Sequence, residues 1–391
     1  MTTAALFQQG LAHHQAGHLP DAEACYRQIL ALDPAHAPTL HLLGVIALQV
    51  GQHDIAVDTI GKAIELQPLV ADYHSNLGNA LAALGRLVEA EARYREALRL
   101  RPAAPVIQNN LGNMLRDQDR PAEAEACYRA ALGLDPAYAA AHNNLGVVLR
   151  SLGRLEEAAL CQATAIDLKP DFAQAYLDLG NVFQDLGHVA AAEAACQMAL
   201  TLKPVYPEAQ VSLGMALAAL GRREEAEACY RAALLLDPDI VEAHNNLAAT
   251  LRDTGRFEEA AASGRAALRL RPNFAEAHNN LGSSLHALGQ VEEAEACFRA
   301  ALRLKPDFAQ AHQNLSLVLL LAGRLDEAWP DHEWRLQLKG VGLSAARPFA
   351  HPRWAGEPLG ARVLLVHAEQ GFGDTLQFCR YVPLAGARGR V

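Results

Sequence analysis

Small and apolar positions along this chain recur with a fixed period of 34 residues, which predicts a stack of helical hairpins. The clearest marker is a proline that returns nine times in strict register, at positions 34, 68, 102, 136, 170, 204, 238, 272 and 306. Alanine stands twelve residues before every one of these prolines, from Ala22 to Ala294. A second alanine stands five residues before each proline except the first, where Ile29 takes its place. We expect these small side chains to lie where two helices cross too closely for a larger residue.

Two glycines and the proline predict where the helices of each hairpin cross and end. One glycine stands 24 residues before the proline in every unit except one, which has Ala248. Each unit is expected to consist of a first helix, A, and a second helix, B. A second glycine is expected between them, because glycine adopts positive φ at low cost at a helix end. Asp119 is the single departure. The proline then ends helix B, since the residue before a proline is disfavoured in the α region.

This pattern resembles the tetratricopeptide repeat (TPR) and covers residues 3–342. It contains nine complete units and a degenerate tenth, from Asp307 onward, that keeps Gly323 and Ala328 but has Gly340 where the proline is expected. The resemblance implies an all-α fold, a right-handed superhelical solenoid of about ten helical hairpins. It also implies that helix A of each hairpin lines a concave groove.

Helix A carries a recurring polar position that packing does not explain. We call it the amide ladder, and its members are Asn76, Asn110, Asn144, Asn246, Asn280 and Asn314, with Asp178 and Ser212 in the two gaps. Six residues after the ladder position, three repeats have an arginine: Arg116, Arg150 and Arg252. Amides both donate and accept hydrogen bonds, so the ladder and these arginines are predicted to bind an extended peptide in the groove. The alternative is that each asparagine bonds the backbone of a neighbouring repeat. The ladder resembles that of the TPR half of O-linked N-acetylglucosamine transferases.

Composition narrows the partner class. The formal net charge of -10, without a basic run interleaved with aromatics, argues against nucleic acid. No apolar stretch is long enough to span a bilayer, and we expect a cytoplasmic protein.

The histidines that recur 28 residues before a proline, or before its expected place, cannot converge on one ion. We therefore predict no metal site and no cofactor.

The period is lost after Lys339. Residues 343–360 are expected to form a proline-rich connector, and residues 361–391 read as a strand, a glycine-rich turn and a helix, a short α/β segment. The motifs Trp354-Ala-Gly-Glu-Pro-Leu-Gly360 and Glu369-Gln-Gly-Phe-Gly-Asp374 are similar to the start of the glycosyltransferase domain in bacterial TPR-glycosyltransferase fusions, which is heptosyltransferase-like and Rossmann-type. The resemblance implies that Asp374 would be the general base of a full-length enzyme. The alternative is that Asp374 and Gln377 only cap the following helix.

The sequence favours two alternative functions. The first is an interaction scaffold that binds a protein or an extended peptide in its groove, attached to an incomplete glycosyltransferase domain. The second is the N-terminal part of a protein glycosyltransferase whose array presents substrates, with a nucleotide-sugar as the further ligand of the full-length enzyme. Because the chain ends at Val391, soon after the predicted strand, we expect that it does not transfer sugar by itself.

Overall fold

The computed structural model describes residues 2–338, and this part of the chain is helical throughout. It contains 20 α-helices and one short 3-10 helix, and no β-strand occurs between residues 2 and 338. The predicted all-α array of helical hairpins is therefore confirmed. The connector 343–360 and the α/β segment 361–391 lie outside the described residues.

The described helices form two compact units, one within residues 2–222 and the other within residues 223–338. The first unit holds α1 (Thr3–Gln15), α2 (Leu19–Leu32), α3 (Ala37–Gln49), α4 (His53–Leu66), α5 (Ala71–Ala83), α6 (Leu87–Leu100), α7 (Pro105–Asp117), α8 (Pro121–Leu134), α9 (Ala139–Ser151), α10 (Leu155–Leu168), α11 (Ala173–Asp185), α12 (Val189–Leu202) and α13 (Pro207–Ala219). The second unit holds α14 (Arg223–Leu236), α15 (Val241–Asp253), α16 (Phe257–Leu270), α17 (Ala275–Ala287), α18 (Val291–Leu304), α19 (Ala309–Leu321), α20 (Leu325–His332) and the 3-10 helix Glu333–Gln337. Odd-numbered helices are the A helices, and even-numbered helices are the B helices.

The recurring small residues lie at the helix crossings, as their positions predict. The alanines twelve residues before the prolines, from Ala22 to Ala294, have no exposed surface. At the glycine position of helix A, a Cβ added to Gly112 would lie 2.7 Å from Cε1 of Tyr128 on helix B of the same hairpin. Cβ atoms do not approach other heavy atoms so closely, so the aromatic ring requires glycine opposite it.

The one exception to the glycine rule has a matching exception on helix B. Ala248 stands at the glycine position of α15, and Gly264 stands at the position of α16 that Tyr94, Tyr128 and Phe298 occupy in other hairpins. Ala248 is fully buried. Both sides of this crossing therefore carry small residues, and the aromatic ring that other hairpins place there is missing.

The turn between helix A and helix B requires a left-handed residue. All nine glycines at this position have φ between 73° and 79°. Asp119, the departure noted in the sequence, adopts the same conformation with φ 58° and is the only non-glycine residue with positive φ within 2–338. The backbone thus keeps the turn even where the sequence does not supply the favoured residue.

The recurring histidines stabilise the turn between successive hairpins. In five repeats the ring Nε2 donates to the carbonyl oxygen of the proline six residues earlier, at 2.8–3.0 Å. The histidines are His74, His142, His244, His278 and His312. A carbonyl at a helix end has no partner within the helix, so the imidazole satisfies it. This gives the recurring histidines a structural role.

Candidate functional site

The amide ladder lies on helices α5, α7, α9 and α11 of the first unit, one member to each helix. Asn76, Asn110, Asn144 and Asp178 are all half-buried. Successive A helices contact each other in this unit, so the four side chains follow one another across neighbouring repeats. The helix spacing predicted from the sequence therefore brings these residues onto one continuous face.

Ladder residues bond to a second, inner set of polar side chains on the preceding A helix. The Nδ2 of Asn76 donates to Nε2 of His41 at 2.8 Å, and the Nδ2 of Asn144 donates to Oδ1 of Asn109 at 2.9 Å. Both pairs are 35 residues apart. Asn109 is 4% exposed, so this bond between repeats gives its buried carbonyl oxygen a donor.

Asn110 departs from this scheme because Ser75 stands at the inner position of the preceding repeat. Its Nδ2 donates instead to Oδ1 of Asn79 at 3.3 Å. The same oxygen also accepts the hydroxyl of Tyr94 at 2.7 Å. Asn110 thus shares its acceptor, Asn79, with the buried Tyr94. Without Asn110, Asn79 would keep its strong bond to the tyrosine hydroxyl.

The second unit repeats the scheme on α15, α17 and α19. The Nδ2 of Asn280 donates to Oδ1 of Asn245, and the Nδ2 of Asn314 donates to Oδ1 of Asn279, both at 2.9 Å. Asn246 is bonded within its own helix, where its Oδ1 accepts from Asn245 at 3.3 Å. The inner asparagines of this unit are also buried.

The bonds between repeats differ from the alternative interpretation of the sequence. The sequence alternative placed backbone groups opposite the ladder, whereas the partners are side chains of the preceding repeat. The donors of Asn110 and Asn144 are used in these bonds. Among residues 2–338, no group donates to the Oδ1 of either residue. The ladder therefore orients its amides between repeats and leaves acceptor oxygens available on its face.

Asp178 adds a carboxylate to the ladder. Its Oδ2 accepts from Asn143 at 3.1 Å and its Oδ1 accepts from Gln174 at 3.0 Å. Burial raises the pKa of Asp178, while these two donors and the positive charges of Arg150 and Arg116 act in the opposite direction. Asp178 is thus an acceptor held by hydrogen bonds in a partly desolvated position.

The three predicted arginines are paired with acidic or amide groups. The Nε of Arg150 donates to Asp185 of the next repeat at 2.5 Å, and Arg116 bonds the adjacent Asp117. Arg252 donates to the ladder residue Asn280 at 3.1 Å and also bonds its neighbour Asp253. Arg252 is therefore the one that contacts the ladder directly.

Acidic residues near the start of the A helices are balanced by basic residues of the following turn. Arg101 pairs with Asp72, Arg271 pairs with Glu242 at 2.8 Å, and Lys305 lies 3.4 Å from Glu276. At these three positions an ion pair offsets the negative charge of the acidic side chain.

The B helices carry a charge network that sequence reasoning missed. Arg154 donates to Glu157 in its own helix at 2.6 Å and to Glu125 of the preceding repeat at 2.7 Å. Arg129 bonds Glu125 at 2.9 Å and lies 3.6 Å from Glu157, which closes a four-residue network. The hydrogen bond from Arg154 lowers the pKa of Glu157. Equivalent pairings occur at Arg120, Arg256 and Arg324. This network could have been predicted from an arginine and a glutamate that recur with the 34-residue period.

Models of the tetratricopeptide repeat match most of the chain, over residues 3–36, 41–105, 109–167, 173–206, 211–275 and 275–308, and a further TPR repeat model matches residues 148–187. The chain belongs to the tetratricopeptide repeat family. Asp374, the predicted general base, lies outside the described residues.

Solved structures agree with the TPR fold. A chain of the APC/C hetero-tetramer Cut9–Hcn1 aligns with a TM-score of 0.60 at 18% identity, over 77% of this chain and 59% of that chain. A tetratricopeptide repeat protein from Parabacteroides merdae aligns with a TM-score of 0.52 at 20% identity, over 64% of this chain and 98% of that chain. At these identities the likeness shows the fold alone.

Two further comparisons gave negative results. The search of curated proteins returned no match. Between residues 2 and 338, none of the helices has the length and apolar character needed to cross a membrane.

Proposed function

We propose that this TPR array is a protein-interaction scaffold whose amide ladder binds an extended segment of a protein partner. TPR domains bind peptides or proteins, and the ladder supplies the chemistry for such binding here. In this proposal the array of residues 3–342 is the binding part, and residues 343–360 connect it to residues 361–391.

The observation that carries this proposal is the set of acceptor oxygens at Asn110 and Asn144. Each amide is held by a bond between repeats at 3.3 Å or 2.9 Å, so its Oδ1 is fixed before a partner arrives. An extended peptide has backbone N–H groups that need acceptors, and fixed acceptors cost little entropy on binding. The preorganised amides therefore favour a main-chain partner of any sequence.

A selected peptide tests the proposal. Peptides that bind the purified chain are selected from a random display library, and the affinity of the strongest binder is measured by isothermal titration calorimetry. Asn110→Ala is the cleanest variant, because Asn79 keeps the hydroxyl of Tyr94 when Asn110 is lost. Losing a hydrogen bond of this kind costs about 0.5–1.5 kcal/mol, so we expect the affinity to fall about two- to tenfold.

A matched amide elsewhere provides the control. Gln197 is exposed on helix B α12 and bonds Glu193 at 2.9 Å, so Gln197→Ala also removes one amide but not from the ladder. Circular dichroism checks that both variants keep their helicity. Unchanged affinity in Asn110→Ala, together with weakened binding in Gln197→Ala, would place the binding face on the B helices and refute the proposal.

A second candidate function is protein glycosylation, with the array presenting protein substrates to a glycosyltransferase. It rests on the motifs between Trp354 and Tyr381, which are similar to the start of such a domain. The chain is incubated with a panel of nucleotide-sugars and a display-selected peptide, and sugar transfer is followed by mass spectrometry. Transfer that disappears in Asp374→Asn would establish the second function and the role of Asp374.

A further inference from the structure

The first hairpin brings together three side chains that could hold a metal ion. His13 lies in the last turn of α1, His18 stands immediately before α2, and Asp21 lies in the first turn of α2. Their candidate ligand atoms all lie within 4.8 Å of one another. His13 is half-buried, whereas His18 and Asp21 are exposed.

The turn between α1 and α2 fixes the two histidines relative to each other. The backbone N–H of His18 donates to the carbonyl oxygen of His13 at 2.9 Å, and the N–H of Gly17 donates to that of His14 at 3.1 Å. Gly17 adopts φ 77°, the left-handed conformation that this pair of bonds requires. The side chains of His13 and His18 therefore start from a rigid backbone, and only their rotamers have to adjust.

The same three positions carry different chemistry in the other hairpins. Their equivalents in α9 and α10 are Leu149, which is 1% exposed, and the ion pair of Arg154 with Glu157 at 2.6 Å. Leucine, arginine and glutamate stand together at these positions in six of the other nine hairpins. The first hairpin replaces all three, and two of the replacements are imidazoles. A terminal hairpin needs only a polar outer surface. This need does not explain why an imidazole stands where other hairpins have a core leucine.

We propose that His13, His18 and Asp21 bind a divalent transition-metal ion of the zinc, nickel or copper type. Imidazole nitrogen and carboxylate oxygen together suit these ions. In a tetrahedral zinc site the ligand atoms are separated by about 3.4 Å, so the side chains must close by at most about 1.4 Å through rotamer changes. Three protein ligands leave at least one coordination position for water. The repeat pattern does not indicate this site, because His13 and His18 lie outside the register of the recurring histidines.

Zinc titration of the untagged chain tests the proposal. The array supplies its own replacements: His13→Leu introduces the residue found at that position in most hairpins, and His18→Gln introduces the residue that Gln52 represents in the second hairpin. We expect one zinc ion per chain by isothermal titration calorimetry. Each of these variants, and Asp21→Asn, should lower the affinity at least about tenfold. His14→Gln is the matched control, because His14 bonds Gln49 instead of joining the three ligands.

Copper spectroscopy provides a readout that does not depend on affinity. The electron paramagnetic resonance spectrum of the Cu²⁺-loaded chain should show two coordinated imidazole nitrogens, and one in His13→Leu or His18→Gln. Zinc binding that persists in the His13→Leu/His18→Gln double variant, or that is lost in His14→Gln alone, would overturn the assignment.

Discussion

Changing Gly264 to tyrosine should stabilise the second unit more when Ala248 is changed to glycine at the same time. The two residues occupy the positions where other hairpins pair glycine with an aromatic ring. In the fourth hairpin a Cβ at Gly112 would lie 2.7 Å from Cε1, 2.9 Å from Cδ1 and 3.0 Å from Cζ of Tyr128. A tyrosine at position 264 would meet the existing Cβ of Ala248 in the same way.

The magnitude follows from three contributions. The clash with Ala248 in the Gly264→Tyr single variant costs about 1–3 kcal/mol, the usual range for overpacking. The ring gains about 1.5–3 kcal/mol when fully buried, which offsets the clash, so this single variant should be close to neutral. Ala248→Gly alone costs about 1 kcal/mol in helix propensity. In the double variant the clash is absent, and the coupling free energy between the two positions should be about 1–3 kcal/mol.

A double-mutant cycle measures this coupling. Urea denaturation of the wild type, the two single variants and the double variant gives the four free energies. Hydrogen exchange on α15–α18 then checks that the change is local, because arrays can unfold in parts. The contact of Leu281 Cβ, 3.2 Å from a Cβ added at Gly264, is common to both tyrosine variants and cancels in the cycle. Effects that add within about 0.5 kcal/mol would show that the two positions do not face each other.

Two further predictions concern the first unit. Asp119 holds φ 58° in a turn that favours glycine, so Asp119→Gly should raise the free energy of unfolding by up to about 1 kcal/mol. Gly153→Ala, at φ 75°, should lower it by about 1–2 kcal/mol. Equal effects of the two substitutions in urea denaturation would contradict this prediction. Burial lowers the pKa of His41 to about 4, against the opposing charge of Asp72, and its ring must be neutral to accept from Asn76. The stability that depends on neutral His41 is therefore complete above pH 6.5 and is lost as the pH falls toward about 4. His41→Asn keeps an acceptor for Asn76 and should reduce this loss of stability. Melting temperatures compared from pH 7 to pH 4 measure the effect, and an unchanged pH dependence in the variant would refute the assignment to His41.

The fold was predictable because its constraints are local and recur in every repeat. A proline ends each B helix, a glycine permits positive φ in each turn, and buried alanines such as Ala158 permit close crossing. Even the departures were informative, since Asp119 adopts the glycine conformation and Ala248 is accompanied by Gly264.

The hydrogen-bond partners of the site were less predictable because they depend on how one repeat is offset against the next. The sequence shows Asn143 beside Asn144, but adjacent helical positions point about 100° apart and meet different neighbours. Only the structure shows that Asn144 turns back to Asn109 while Asn143 turns forward to Asp178.

Partner binding and repeat stacking should be coupled, because the same amides serve both. Asn144 donates to Asn109 across two repeats and offers its Oδ1 on the face that we propose for the partner. A peptide that spans Asn110 and Asn144 would bind the stacked repeats and not a locally opened array. The selected peptide at a hundredfold excess over its Kd should therefore stabilise the chain by about 2.7 kcal/mol, and hydrogen exchange should slow on α7 and α9. Protection confined to the B helices, or a melting temperature that does not change at this peptide concentration, would show that the peptide does not use the ladder.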